Sequence, residues 1–202
     1  MAELTAGGYP IAYTTTRPLS NNRFWAIPII GILVKAIILI PHFIILYVLG
    51  IVVGIAQLVI WIWVLFGGRY PDWAFGLNAG YVRWITRLQT YIYGITDAYP
   101  AFSMDAPGDV YFERPDTSTR FWAIPIIGII AKCIILIPHL IVLYALGIAV
   151  GACQLVIWVW VLFGGTYPGW AFTLVAGTIT WTARVYGYGF GLTDRYPPFS
   201  FT

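Results

Sequence analysis

The stretch from Phe24 to Gly68, FWAIPIIGILVKAIILIPHFIILYVLGIVVGIAQLVIWIWVLFGG, decides the fold of this 202-residue chain. Its only strongly polar residues are Lys35, His42 and Gln57. A membrane-spanning helix needs roughly 20 apolar residues, because a helix rises ~1.5 Å per residue and the hydrocarbon core is about 30 Å thick. Since this run is about twice that length, the sequence predicts a membrane protein.

The overall composition agrees with a membrane location. Hydrophobic residues make up 60% of the chain and charged residues 9%, whereas a soluble domain carries about 25% charged residues. The net charge of +3 comes from scattered Lys and Arg, so no nucleic-acid-binding surface is indicated. The first twenty residues lack the features of a cleaved signal peptide, and we expect the first apolar segment to act as the insertion signal.

The apolar run returns almost unchanged at residues 121–165. Arg23 aligns with Arg120, an offset of 97 residues (120 − 23), and this offset holds without a gap through both copies. Most aligned positions are identical, which indicates a tandem duplication. We predict two units, residues 1–103 and 104–202.

Each unit has the same parts in the same order. An extended lead-in is followed by the apolar run, a Gly-Gly-x-Tyr-Pro turn, an aromatic helical segment and a closing Thr-Asp-x-Tyr-Pro-x-Phe-Ser motif. The lead-ins, residues 10–16 and 108–113, contain β-favouring residues and predict short strands. The linker between units is predicted to be solvated because it carries four acidic residues, Asp105, Asp109, Glu113 and Asp116.

The two cysteines occupy positions that hold a small apolar residue in the other copy. Cys133 aligns with Ala36, and Cys153 aligns with Ala56. We therefore expect these thiols to pack as small hydrophobic groups, with neither a disulfide framework nor a metal site.

Near-identical copies should lie at the same membrane depth, so each unit should cross an even number of times, as parallel repeats do. In one arrangement the apolar run forms a transmembrane hairpin that turns at Pro41-His42, as the second copy does at Pro138-His139, while the aromatic segment lies in the interface. In the other, residues 24–40 lie at the interface, while residues 42–66 and 73–95 both span. We prefer the hairpin because it places tryptophans at one end and arginines on one face, which the positive-inside rule makes cytoplasmic.

The aromatic segments carry Gly, Thr and Arg at three- and four-residue spacing, with Arg83, Arg87 and Arg184 as the basic members. Such a stripe predicts an interfacial amphipathic helix; the alternative is a packing face between helices. The predicted fold class is an all-α integral membrane protein with two tandem parallel repeats. Each repeat has a transmembrane helical hairpin, an interfacial amphipathic helix and a short extended or β lead-in. We expect a multi-pass protein of the cell inner (plasma) membrane with cytoplasmic termini.

The order of these motifs resembles a bacterial membrane family known as domain-of-unknown-function family 4389. The elements that carry the resemblance are Ile-Pro-His, Trp-x-x-x-Leu-Phe-Gly-Gly-x-Tyr-Pro and Thr-Asp-x-Tyr-Pro-x-Phe-Ser, and they occur in both units. The resemblance implies an integral membrane protein with one amphipathic C-terminal helix in each unit. It supplies no catalytic or ligand-binding residues.

The lysines within the apolar runs, Lys35 and Lys132, are the first candidate site residues. An ammonium in a spanning helix is costly and often functional. Its long stem can instead reach headgroups or a backbone carbonyl. The functional alternative is a charge that lines a polar cavity or meets an anionic lipid or a partner carboxylate.

Four further polar residues lie in the runs. His42 and His139 follow a proline, where an imidazole can meet water; the functional alternative is axial ligation of haem or a chlorophyll-type pigment. Gln57 and Gln154 are expected to hydrogen-bond between helices, and a substrate-facing role is the alternative.

No Ser-His-Asp, paired-carboxylate, phosphate-loop or metal-ligand arrangement occurs in the polar segments, so we expect no enzyme, no catalytic residue and no metal. The first hypothesis is a structural or accessory protein that associates with membrane lipid and assembles laterally with itself or a larger membrane complex. The second is a small transporter or channel that uses the intramembrane Lys and Gln. The third is haem or pigment binding through the paired His; otherwise no cofactor is expected.

Overall fold

A computed structural model describes residues 8–105 and 110–201. Each unit contributes one short strand, one 3-10 helix, one long helix and one shorter helix. The first unit contains β1 (Ile11–Tyr13), a 3-10 helix (Arg23–Ala26), α1 (Ile30–Gly67) and α2 (Asp72–Ile92). The second contains β2 (Val110–Phe112), a 3-10 helix (Arg120–Ala123), α3 (Ile127–Gly164) and α4 (Gly169–Gly189). The structure therefore repeats its elements as the sequence repeats its motifs.

Both long helices run without interruption for 38 residues, through Pro41 in α1 and through Pro138 in α3. The predicted hairpin turn at these prolines is therefore wrong. A proline inside a helix removes one N–H donor and pushes away a carbonyl of the preceding turn. In α1 the Tyr99 hydroxyl donates to the neighbouring Ile38 carbonyl at 3.0 Å, and this bond from a distant segment supports the helix next to its proline.

The long helices bury their polar side chains and expose apolar ones. The buried stripe of α1 has three- and four-residue spacing over most of its length and consists of Gly31, Lys35, Leu39, His42, Leu46, Val53, Gln57, Ile60 and Val64. Every exposed residue between Ile29 and Phe66 is apolar, aromatic or glycine. Both helices are long and apolar enough to cross a membrane, and only 22% and 11% of their most apolar windows are buried. The core helix of a soluble domain is mostly buried, whereas these two windows are mostly exposed.

The shorter helices are core elements. No residue of α2 from Leu77 to Ile92 is exposed, so the predicted interfacial helix with a water-facing stripe is wrong. Small residues do pack closely, but against a closing segment and not between spanning helices as the alternative predicted: a Cβ on Gly80 would lie 2.6 Å from Cβ of Met104. The threonine of the stripe in the first copy, Thr90, satisfies its hydroxyl inside the helix by donating to the Thr86 carbonyl at 2.8 Å.

The strand predictions for the lead-ins are confirmed. β1 pairs with β2 in antiparallel register, and Tyr13 lies opposite Val110. Gly108 and Asp109 lie outside the described residues. The other acidic residues of the linker, Asp105, Glu113 and Asp116, are exposed as predicted.

The two units interlock, and one hydrophobic core draws residues from both. The start of α2 lies at the end of α4, and the start of α4 lies at the end of α2, so these helices run antiparallel. Likewise the segment just before the 3-10 helix of each unit contacts the end of the other unit's long helix. The bonds that show this are Tyr70 hydroxyl to Phe190 carbonyl (2.9 Å), Tyr167 hydroxyl to Tyr93 carbonyl (3.2 Å), Asn21 N–H to Gly165 carbonyl (2.9 Å) and Ser118 N–H to Gly68 carbonyl (3.0 Å).

Candidate functional site

Each buried lysine caps the shorter helix of its own unit. Lys35 Nζ donates to the Tyr91 carbonyl at 2.8 Å, and Lys132 Nζ donates to the Tyr188 carbonyl at 3.1 Å. Both carbonyls belong to the last turn of a helix, where acceptors lack intrahelical partners and the helix dipole is negative. A cation at this end is favourable. The lysine stem does reach a backbone carbonyl, but at the end of the shorter helix and not at the predicted Pro-His turn.

Aromatic rings complete the surroundings of the ammonium. Lys35 Nζ lies 4.7 Å from the ring centre of Tyr91 and 5.7 Å from that of Trp25. Lys132 has the same neighbours in the second copy, with Tyr188 at 5.3 Å and Trp122 at 5.9 Å. Cation–π attraction strengthens when water is excluded, so these rings offset part of the cost of burying the charge.

Each lysine also lines a cavity together with the glutamine of the other unit. Lys35 and Gln154 line an open, largely apolar cleft of about 300 Å³, whose rim includes the exposed residues Ile32 and Phe43. Lys132 and Gln57 together line a cavity of about 20 Å³. The structure therefore brings the predicted Lys and Gln residues together across the boundary between the units.

The two glutamines differ in their hydrogen bonds because the copies differ at one neighbouring position. Gln57 Nε2 donates to the Phe190 carbonyl at 3.3 Å, and its Oε1 accepts from Asn78 Nδ2 at 3.3 Å. The second copy has Val175 where the first has Asn78. Accordingly, Gln154 Oε1 is buried without a partner among the described residues.

Two tyrosine hydroxyls hold the glutamine regions to the opposite unit. Tyr70 receives a short hydrogen bond from Asn78 and donates to the Phe190 carbonyl. Burial raises the pKa of the Tyr70 hydroxyl above its ordinary value, as it does for Tyr167. Both hydroxyls therefore keep their protons at neutral pH and can act as donors across the boundary.

The histidines are fully buried and held by an indole. His42 Nδ1 accepts from Trp84 Nε1 at 3.0 Å, and His139 Nδ1 accepts from Trp181 Nε1 at 2.9 Å. The His42 ring stacks on Phe102, with ring centres 3.8 Å apart. A neutral imidazole whose Nδ1 accepts carries its proton on Nε2. Neither nitrogen then offers a lone pair to a metal, so this arrangement does not favour an axial ligand.

We call Pro41, His42, Trp84, Tyr99 and Phe102 the proline clamp, because its aromatic members pack around the helical turn of α1 that contains Pro41. The second unit repeats it with Pro138, His139, Trp181, Tyr196 and Phe199. The clamp gives a structural reason for the Tyr-Pro-x-Phe-Ser motif. Sequence reasoning missed the partnership of Trp84 with His42, although both residues recur at the same positions of the two copies.

The three predicted interfacial arginines bind backbone carbonyls. Arg83 donates to the Val110 carbonyl at 3.2 Å, and Arg87 makes a short bond to the Ser103 carbonyl. Arg184 is only 1% exposed and donates to the Ile11 carbonyl at 3.4 Å. The prediction that Arg184 faces the interface is therefore wrong; its guanidinium joins α4 to the strand of the other unit.

Within residues 8–105 and 110–201, no group of three His, Cys, Asp or Glu residues could hold a metal ion. A family model described as "Domain of unknown function (DUF4389)" matches residues 30–104 and again residues 127–200. No curated protein and no solved structure matches the chain.

Proposed function

This chain belongs to the DUF4389 family and contains two copies of its unit, and from this premise we propose that it is a non-enzymatic structural or accessory protein embedded in a membrane. The observation that carries the proposal is the inverted polarity of α1 and α3. Along each helix the exposed side chains are apolar and the polar ones are buried. Water would penalise so large an apolar surface, whereas the hydrocarbon of a bilayer would not.

The buried polar groups favour a structural role over a catalytic one. Lys35 caps α2, His42 accepts from Trp84, and Gln57 bonds the end of α4. Each of these side chains is already engaged with another helix, which is the usual use of polar groups between membrane helices.

Lateral association is the second part of the proposal. The outer faces of the long helices carry Gly54, Gly147 and Gly151, and a Cβ at any of them would contact nothing within 4 Å. Small residues on a membrane-facing helix let another helix approach closely. We propose that these faces contact further copies of the chain or a larger complex in the cell inner (plasma) membrane.

The test is the mass and composition of the particle released from native membranes by a mild detergent. We expect a homogeneous particle that contains several copies or fixed companions. The variant G54L with G151L should reduce its mass, while a matched control on an exposed non-glycine position, I55L, should leave it unchanged. A wild-type particle with one copy and no companion would contradict lateral assembly. Release of the protein by a carbonate wash without detergent would contradict membrane embedding.

A small-molecule transporter or channel is the second candidate, and one observation favours it. The cleft between α1 and α3 combines the Lys35 ammonium with Gln154 Oε1, which has no hydrogen-bond partner in the described part of the chain, beneath an apolar rim. If the cleft conducts anions, liposomes that contain the protein should release carboxyfluorescein, and the double variant K35A/K132A should stop the release. Equal release from wild type and variant, or from empty liposomes, would contradict this function.

A further inference from the structure

The two units exchange equivalent contacts in both directions. The Tyr70 hydroxyl bonds the end of α4, and the Tyr167 hydroxyl bonds the end of α2. The backbone just before the two 3-10 helices bonds Gly165 and Gly68 in the same reciprocal way. Reciprocal contacts of this kind define a twofold axis. Tyr13 lies opposite Val110 in the strand pair, and these residues align at the offset of 97 (110 − 13), so the axis passes between them.

This axis fixes the direction of the helices relative to it. Rotation by 180° leaves a helix parallel to the axis pointing the same way and reverses a helix perpendicular to the axis. The helices α2 and α4 are antiparallel, because each starts at the end of the other. The line joining the two ends of α1 is likewise reversed in α3, since each long helix begins where the other ends. All four helices therefore extend roughly at right angles to the axis.

Only two orientations in a bilayer respect a twofold axis of this kind. If the axis lies in the membrane plane, the two copies face opposite sides, and long helices that point along the membrane normal cross the bilayer in opposite directions. If the axis lies along the membrane normal, both copies face the same side, and the two ends of each long helix lie at the same depth.

The near-identity of the copies favours the axis along the normal. Aligned residues then share one depth and one side, as expected for residues such as Trp and Arg that prefer a particular membrane environment. The exposed arginines beside the helix ends, Arg23, Arg69 and Arg120, also come together on a single face. The in-plane axis would place Arg23 on one side and Arg69 with Arg120 on the other, against the usual charge bias.

The length of the long helices favours the same orientation. A helix of 38 residues is about 57 Å long, and its exposed apolar surface extends from Ile29 to Phe66. Crossing a hydrocarbon core of about 30 Å would require a tilt of roughly 60°, beyond the usual range of about 0–40°. A one-sided orientation keeps the whole apolar surface within the membrane without that tilt.

We propose that the protein inserts into the bilayer from one side, so that both ends of α1 and both ends of α3 lie on the same membrane face. The exposed apolar face of the long helices contacts the lipid. The middle of each long helix, at Tyr47 in α1 and Tyr144 in α3, does not reach the far side of the membrane. This proposal rests on the membrane embedding proposed above.

Cysteine labelling in sealed vesicles tests it, with four sites at helix ends. The background is C133A/C153A, which uses the residues that the first copy has at those positions. N22C and T166C mark the end where α1 begins and α3 finishes; R69C and T119C mark the opposite end. Right-side-out and inside-out vesicles are treated with a membrane-impermeant maleimide, and Y47C serves as the control for the middle of α1.

The expected result is labelling of all four end sites from the same membrane face, while Y47C reacts only after detergent is added. Labelling of N22C and T166C from one face and of R69C and T119C from the other would overturn the proposal in favour of crossing helices. Labelling of Y47C from the far face would overturn it as well. Recovery of the protein in the soluble fraction would instead overturn the membrane embedding on which the proposal rests.

Discussion

At the residue scale, the hydrogen bond from Trp84 to His42 stabilises α1 next to its internal proline. The variant W84F keeps an aromatic ring but removes the N–H donor, which leaves Nδ1 of a fully buried imidazole unpaired. We expect a loss of about 1–3 kcal/mol in the free energy of unfolding, the usual cost of an orphaned buried polar group. Far-UV circular dichroism during thermal unfolding in detergent measures it.

The second copy supplies the matched control for this substitution. W181F removes the equivalent donor to His139 and should lower stability by a similar amount. The double variant H42L/W84F should recover part of the loss, because it leaves no unpaired ring nitrogen at this site. A W84F protein that unfolds at the wild-type temperature would show that the indole bond contributes nothing.

Asn78 and Val175 form a natural comparison at equivalent positions of the two units. The variant N78V removes the donor to Gln57 and Tyr70, but it also removes the buried Asn78 Oδ1, which has no partner among the described residues. We therefore expect a change of less than about 1 kcal/mol, whereas N78D should destabilise by several kcal/mol because it buries a carboxylate. If N78V proves as harmful as N78D in the same unfolding measurement, the amide is essential to the first unit.

At the scale of elements, Gly31 allows the 3-10 helix at Arg23–Ala26 to fold back onto α1. A Cβ at this position would lie 2.4 Å from the backbone carbonyl oxygen of Trp25, and backbone cannot move aside as a flexible side chain can. We expect G31A to lower the free energy of unfolding by about 1–3 kcal/mol. G54A is the control: its Cβ contacts nothing, so better helix propensity should leave stability equal or up to about 1 kcal/mol higher. Equal unfolding temperatures for the two variants would contradict this account.

The sequence predicted the helices and strands better than the contacts between them. The helical apolar runs and the short lead-in strands follow from local composition, and both are confirmed. The predicted turn at Pro41 is wrong because Tyr99 and Trp84, which lie far along the chain, support a continuous helix there. The water-facing stripe of α2 and α4 is wrong because the arginines bind carbonyls of strands and closing motifs. No local pattern reveals such distant acceptors.

At the scale of the whole molecule, the duplication was readable from the sequence, but the reciprocal packing was not. The offset of 97 aligns the copies without stating which residues of one contact the other. The structure shows that Lys35 lines a cleft with Gln154 rather than with Gln57. A unit in isolation would therefore lack the residues that the other unit contributes to its cavities and hydrogen bonds.

A single unit, residues 1–103, should form a homodimer that reproduces the internal twofold axis. Alone, it would leave the Tyr70 hydroxyl and Gln57 without the carbonyl of Phe190. A second copy offers the Tyr93 carbonyl at the equivalent place, where the full chain already accepts a bond from Tyr167. Light scattering in detergent should therefore give twice the mass of one unit. Y70F removes both symmetry-related bonds of the dimer and should weaken it roughly a hundredfold if each bond contributes about 1.4 kcal/mol. A folded single unit that remains monomeric would show that the contacts between units add no stability of their own.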